Sequence, residues 1–116
     1  MKRLLIAVFW GISFTLFSQT HAASFSCKAA QLKAEHQICA DRELNDADVK
    51  LATTYQIILH ALPMGGRDAE KGLQVKWLKQ RNACGANKAC IKRAYLQRQQ
   101  QLDQLLQERV LSQGPF

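Results

Sequence analysis

Four cysteines in a chain of 116 residues set the first constraint: Cys27, Cys39, Cys84 and Cys90. An even number of cysteines in a short exported chain reads as a pair of disulfides, whereas a cytosolic chain would keep them as thiols or metal ligands. The opening residues decide between these. Met1-Lys2-Arg3 is basic, residues 4–17 are uncharged and mostly apolar, and Ser18-Gln19-Thr20-His21-Ala22 follows. That order is the order of a secretory leader. Thr20 and Ala22 suit the −3 and −1 positions, which places cleavage after Ala22, with Ala23 as the near alternative. The apolar run is also shorter than the roughly 20 residues that span a bilayer. All four cysteines therefore lie in a chain expected in the periplasm or outside the cell, over residues 23–116, as one domain.

Removing residues 1–22 takes away two bases and no acid, leaving 94 residues with a charge of +5. A chain of that size buries only about 60–65% of its unfolded surface, so covalent ties matter to its stability. Four cysteines allow three pairings. Gly85-Ala86-Asn87-Lys88-Ala89 is a turn-forming stretch that favours Cys84 with Cys90, which leaves Cys27 with Cys39. If the latter two sat on one continuous helix they would be about 18 Å apart, so this pairing requires Cys27 to precede the helix and the chain to fold back. Cys27 with Cys90 and Cys39 with Cys84 is the rival arrangement.

No stretch sustains period-two alternation; apolar residues recur at three- and four-residue steps, which predicts an all-α chain. Ser26 is placed to cap a short helix ending near Cys39. Asp41 offers a second N-cap, and Leu44, Asp48, Leu51, Tyr55, Ile58 and Leu62 then form one stripe of about five turns. Pro63-Met64-Gly65-Gly66 is expected to be the turn. A third helix after Arg67 carries Leu73, Trp77 and Leu78 inward until Gly85. A fourth starts after Asn87 and continues through Ile91, Tyr95, Leu102, Leu105 and Val110 to Gly114-Pro115. The expected fold is a small disulfide-stapled bundle of one short and three longer helices. A monomer is favoured, and a dimer seam would run along Leu102, Leu105, Leu106 and Val110.

Charge is unevenly spread. Nine bases and two acids lie between Arg67 and Arg98, whereas five acids face one base between Glu35 and Asp48. Arg67, Lys71, Lys76, Lys79, Lys88, Lys92 and Arg93 form the candidate binding surface, suited to an anionic envelope component or an acidic protein face. A solvated face is the plainer account of the same residues. No motif supports nucleic-acid binding. After the leader only His36 and His60 remain, neither beside a nucleophile, and the sequence lacks hydrolase, phosphate-loop and metal-spacing motifs. No catalytic residue, cofactor or metal is assigned.

One polar group stands out. Asp48 and Tyr55 lie on the inner stripe of the second helix, and Gln74, Trp77 and Arg81 lie three and four residues apart on the third. Antiparallel packing would bring Asp48 to Arg81, with Tyr55, Gln74 and Trp77 around them. This reads first as a buried clamp that fixes helix register, and second as a ligand pocket.

These residues carry a family likeness. Leu44-x3-Asp48-x2-Leu51-x3-Tyr55, Gln74-x2-Trp77-Leu78-x2-Arg81-x2-Cys84-Gly85 and Cys90-Ile91-x3-Tyr95-x2-Arg98-x3-Leu102, after Cys27-x11-Cys39-Ala40-Asp41, resemble the LprI-type lysozyme-inhibitor domain. Asn82 stands where relatives often carry Asp. The resemblance implies a small exported helical domain that binds a lysozyme or a related peptidoglycan hydrolase and has no catalysis of its own. On that reading a loop cation such as Arg67 or Lys88 would meet the carboxylates of the sugar-cleaving groove. A basic module binding lipopolysaccharide or anionic lipid, and an immunity or chaperone-like protein, are the alternatives.

Overall fold

The computed structural model describes residues 23–113; the leader expected over residues 1–22, with its cleavage point, lies outside them. Four helices follow one another: α1 (Lys33–Ala40), α2 (Arg42–Ala61), α3 (Met64–Ala83) and α4 (Lys88–Leu105). The described residues form an all-α bundle with two disulfides.

The entry into the bundle is more broken than the sequence suggests. Cys27–Ala29 is a single 3₁₀ turn, and Ser26 makes no side-chain cap there. Ala30 and Leu32 are extended, and α1 starts only at Lys33. This break folds the chain back, so Cys27 and Cys39 are disulfide-bonded with Cα atoms 5.8 Å apart. Asp41 then stops α1 and starts α2: its backbone is extended, and its carboxylate accepts from Leu44 N at 3.0 Å.

Along α2 the inner stripe buries Leu44, Asp48, Leu51 and Ile58, with Leu62 just past its end. The turn to α3 is tighter than expected. Pro63 caps α3 directly, and Gly65 and Gly66 belong to its first helical turn. Two things allow this. Pro63 is compatible with the fixed φ at a helix start, and its carbonyl accepts the first α3 bond, from Arg67 N. Arg67 then turns its side chain back, donating from Nε to Leu59 O at 2.8 Å and from Nη2 to Leu62 O at 3.3 Å. These are carbonyls at the end of α2, which the helix itself leaves without partners.

At the other end Gly85 takes φ +58°, a left-handed conformation suited to glycine, and Asn87 caps α4 by accepting from Cys90 N. Cys84 and Cys90 are disulfide-bonded across this turn. Lys88 pairs with Asp41, so α2 and α4 begin at the same end of the bundle, where both disulfides also lie. The most extensive helix contact is between α2 and α4.

Two further expectations change. Leu73 is 49% exposed and lies in a shallow groove with Arg98 and Leu105, so the inner face of α3 is carried by Trp77 and Arg81. The fourth helix also does not run on unchanged to Val110: Leu106–Val110 forms a wider π turn that packs on α2, followed by a 3₁₀ turn at Leu111–Gln113. Eight residues of ideal α-helix would rotate Val110 about 80° from Leu102, and the extra residue of a π turn recovers most of that. Both side chains are consequently buried in the chain's own core, with Leu105 and Leu106 packed beside them. Of the suggested dimer seam, Leu102 and Val110 are spent inside the fold, and Leu105 and Leu106 are half-buried against it.

Ile58 is fully buried in this core. Ile58→Ala should lower unfolding stability by about 3 kcal/mol, read as a fall in the urea midpoint at unchanged slope.

Candidate functional site

The polar centre is built from one group on each long helix. Asp48 of α2 is 3% exposed, in the middle of an otherwise apolar stripe. Its Oδ1 accepts from the Tyr95 hydroxyl of α4 at 2.8 Å, and its Oδ2 accepts from Ser24 N at 2.6 Å. Arg81 of α3 donates from Nη1 to that same Tyr95 hydroxyl at 3.1 Å and stands 3.9 Å from Asp48 Oδ1. Tyr95 therefore bridges the ion pair rather than flanking it. Arg81 gives Nε and Nη2 to Asn82 Oδ1, at 3.0 and 2.7 Å.

Aromatic rings frame the guanidinium. Its carbon lies 5.7 Å from the Trp77 centroid and 5.8 Å from that of Phe25. Trp77 is pinned by its Nε1 donating to Ala94 O at 2.9 Å and meets Tyr95 edge-on at 5.1 Å. Burial, reinforced by the Asp48 charge, holds the Tyr95 phenol well above its ordinary value, so it stays a donor. Burial also raises Tyr55.

All five residues expected in the clamp line one cleft of about 260 Å³ between α2 and α3. The bonding within it is divided differently. Gln74 accepts from Arg98 Nε at 3.0 Å, and Arg98 also donates to Glu70 at 2.9 Å and to Gln101 at 3.3 Å. Arg98 is itself 3% exposed, so this residue of the basic stretch is a second buried cation, not a surface one. Its position on the Ile91–Tyr95–Arg98–Leu102 stripe was the signal available in the sequence. Tyr95, Ser24 and Phe25 had weaker signals, because each joins the clamp through a contact distant in sequence.

The cations of the candidate surface separate into two groups. Lys71, Lys76, Lys79 and Arg93 are exposed, with Lys76 and Lys79 on the outer side of α3. Arg67 is spent on the end of α2, Lys88 pairs with Asp41, and Lys92 pairs with Glu43. The two loop cations expected to reach a partner's carboxylates are thus engaged within the fold.

Cysteine pattern, Trp–Arg clamp and helix order now stand together, and the family described as lysozyme inhibitor LprI matches residues 27–113. The chain belongs to the LprI family. No curated protein and no solved structure gives a significant match. The family match starts at the first cysteine of this LprI domain and runs through every helix described above.

Within this LprI domain, Arg81→Ala should cost about 3 kcal/mol or more, because it leaves Asp48 buried without its counter-charge; chemical denaturation measures it. Arg81→Lys should recover only part of that loss, since a lysine cannot reproduce the forked bonds to Asn82 and Tyr95.

The surface pair supplies a pH signature. The Lys88 ammonium bonded to Asp41, with help from Leu44 N, lowers the Asp41 carboxyl below its ordinary value, and Asp41 raises Lys88. A lowered carboxyl contributes stability above its unfolded value near 3.8 that disappears as pH falls through the folded value. Comparing Asp41→Asn with the parent by thermal melts from pH 6 to pH 2 should show a smaller gap at the acid end.

Proposed function

We propose that the processed domain acts by binding, as an exported inhibitor of lysozyme or a related peptidoglycan hydrolase. The observation that carries this reading is the family match over residues 27–113. The build of the domain agrees with it. A bundle closed by two disulfides and two buried polar clusters presents a preorganised surface, which lowers the entropic cost of docking. His36 and His60 are both exposed, and His60 Nδ1 lies against Gln56 O within its own helix.

Glycoside hydrolases use paired carboxylates flanking the scissile bond. Exposed Lys71, Lys76, Lys79 and Arg93 are the cations of the candidate surface free of the ties described above, and they suit such an acidic groove at short range. At long range a domain of charge +5 is repelled by a hydrolase that is itself basic, so encounter is slowed at low salt. The same four cations favour the second reading, a module that binds anionic envelope lipid.

Salt separates the two. The purified mature domain is titrated against several lysozyme classes, following muramidase activity at two ionic strengths. Inhibition of at least one class, undiminished at the higher salt, is the expected result. Absence of inhibition across all classes, together with salt-sensitive binding to anionic lipid, would establish the second reading instead.

A further inference from the structure

We propose that the α-amino group created by leader removal becomes a charged partner of the buried Asp48. Its one counter-charge among the described residues, Arg81, reaches it only through the Tyr95 hydroxyl. Arg81 stands 3.9 Å from Asp48 and gives its hydrogen bonds to Asn82 and Tyr95 instead. Of the two Asp48 oxygens, one is held by Tyr95, and the other by the main-chain nitrogen of Ser24 at 2.6 Å. That nitrogen lies one or two residues beyond the cleavage point read from Thr20 and Ala22.

Three anchors hold the segment in place. Ser24 N bonds to Asp48, the Phe25 ring covers the Arg81 guanidinium at 5.8 Å, and Cys27 is tied to Cys39. Cleavage after Ala23 would put the new ammonium on the bonded nitrogen itself. Cleavage after Ala22 would put it one residue away, within about 6 Å of the carboxylate. In the uncleaved chain the same nitrogen is a neutral amide. Processing therefore adds a positive charge at the buried carboxylate, just as export supplies the conditions for the disulfides. The precursor is left with a weaker clamp, which suits a chain that must stay unfolded to be translocated.

The groups facing this amine are Asp48 and Tyr55 from α2, Arg81 from α3 and Tyr95 from α4. Burial raises both phenols above their ordinary value, which favours their neutral form. Asp48 favours the ammonium and Arg81 opposes it; the carboxylate wins because its oxygen touches the Ser24 nitrogen, which is the amine itself or one residue from it. Since the folded value of the amine is raised, its stabilisation is complete below the unfolded value of about 8 and is lost as pH rises through the folded one.

The full chain is expressed with its leader in an exporting bacterium, and the recovered product is weighed by mass spectrometry. Acylation of its α-amine is then followed by peptide mapping from pH 6 to 9.5, in the native state and in urea. The midpoint of reactivity against pH is the readout, because restricted access slows the reaction without moving that midpoint, and desolvation alone would move it down, opposite to the effect of a carboxylate. The expected product begins at Ala23 or Ser24. Its native midpoint should lie about one pH unit above the urea-unfolded one, a tenfold change in the amine's protonation equilibrium. In Asp48→Asn, with Arg81 left facing the amine, the native midpoint should fall to the urea-unfolded one or below it. A different first residue, or equal midpoints in the parent chain, overturns the proposal.

Discussion

A carboxylate in the middle of an apolar helix face governs how everything else is placed. Asp48 sits between Leu44 and Leu51 on the buried stripe of α2, where an ionised group without partners would cost several kcal/mol. Each neighbouring element answers with one group. Tyr95 comes from α4, Arg81 from α3 and Ser24 N from the segment before the first disulfide. Sliding any helix by one turn would break this set. The clamp thus specifies register, while the leucines and isoleucines around it supply most of the stabilisation.

Much of this was legible in the residues. Asp41, Asn87 and Gly85 act locally, through a cap or a backbone angle, and local chemistry can be read from spacing. The inner stripe of α2 follows from helical period alone. Asp48 and Arg81 were recognisable as partners because each is a charge on an apolar face. Tyr95 was not, since a tyrosine on a buried stripe looks like ordinary packing until its hydroxyl is seen between two charges. Arg67, and the destination of the charge on Arg98, were hidden for a related reason. Sequence counts a cation without showing where its long stem carries the charge, and both stems lead inward. The tight start of α3 at Met64 was masked by two glycines that read as a turn, and the π turn leaves no mark in periodicity.

Once the inward cations are set aside, the surface is simpler than the composition implies. Arg67, Arg81 and Arg98 serve the interior, and Lys88 and Lys92 tie α4 to the chain around the start of α2. Of the candidate surface, Lys71, Lys76 and Lys79 of α3 and Arg93 of α4 remain exposed without such ties, while Lys28, Lys33, Arg42, Lys50 and Arg109 are exposed elsewhere on the domain. Among the described residues the two buried cations, Arg81 and Arg98, are both arginines and every lysine is exposed, as expected from the forked, weakly hydrated guanidinium and the strongly hydrated ammonium. A binding role for this face is therefore a question about a handful of lysines rather than about net charge.

Both sulfur links sit at the end where α2 and α4 begin. At the opposite pole, the α2–α3 junction is secured by Arg67 bonds to two carbonyls, and α4 passes into its wider turn. Covalent ties at one pole alone make local opening lopsided, costing less at the pole that lacks them. A partner gripping the fastened pole would meet an almost rigid object. One gripping the other pole could borrow that looseness to mould the fit.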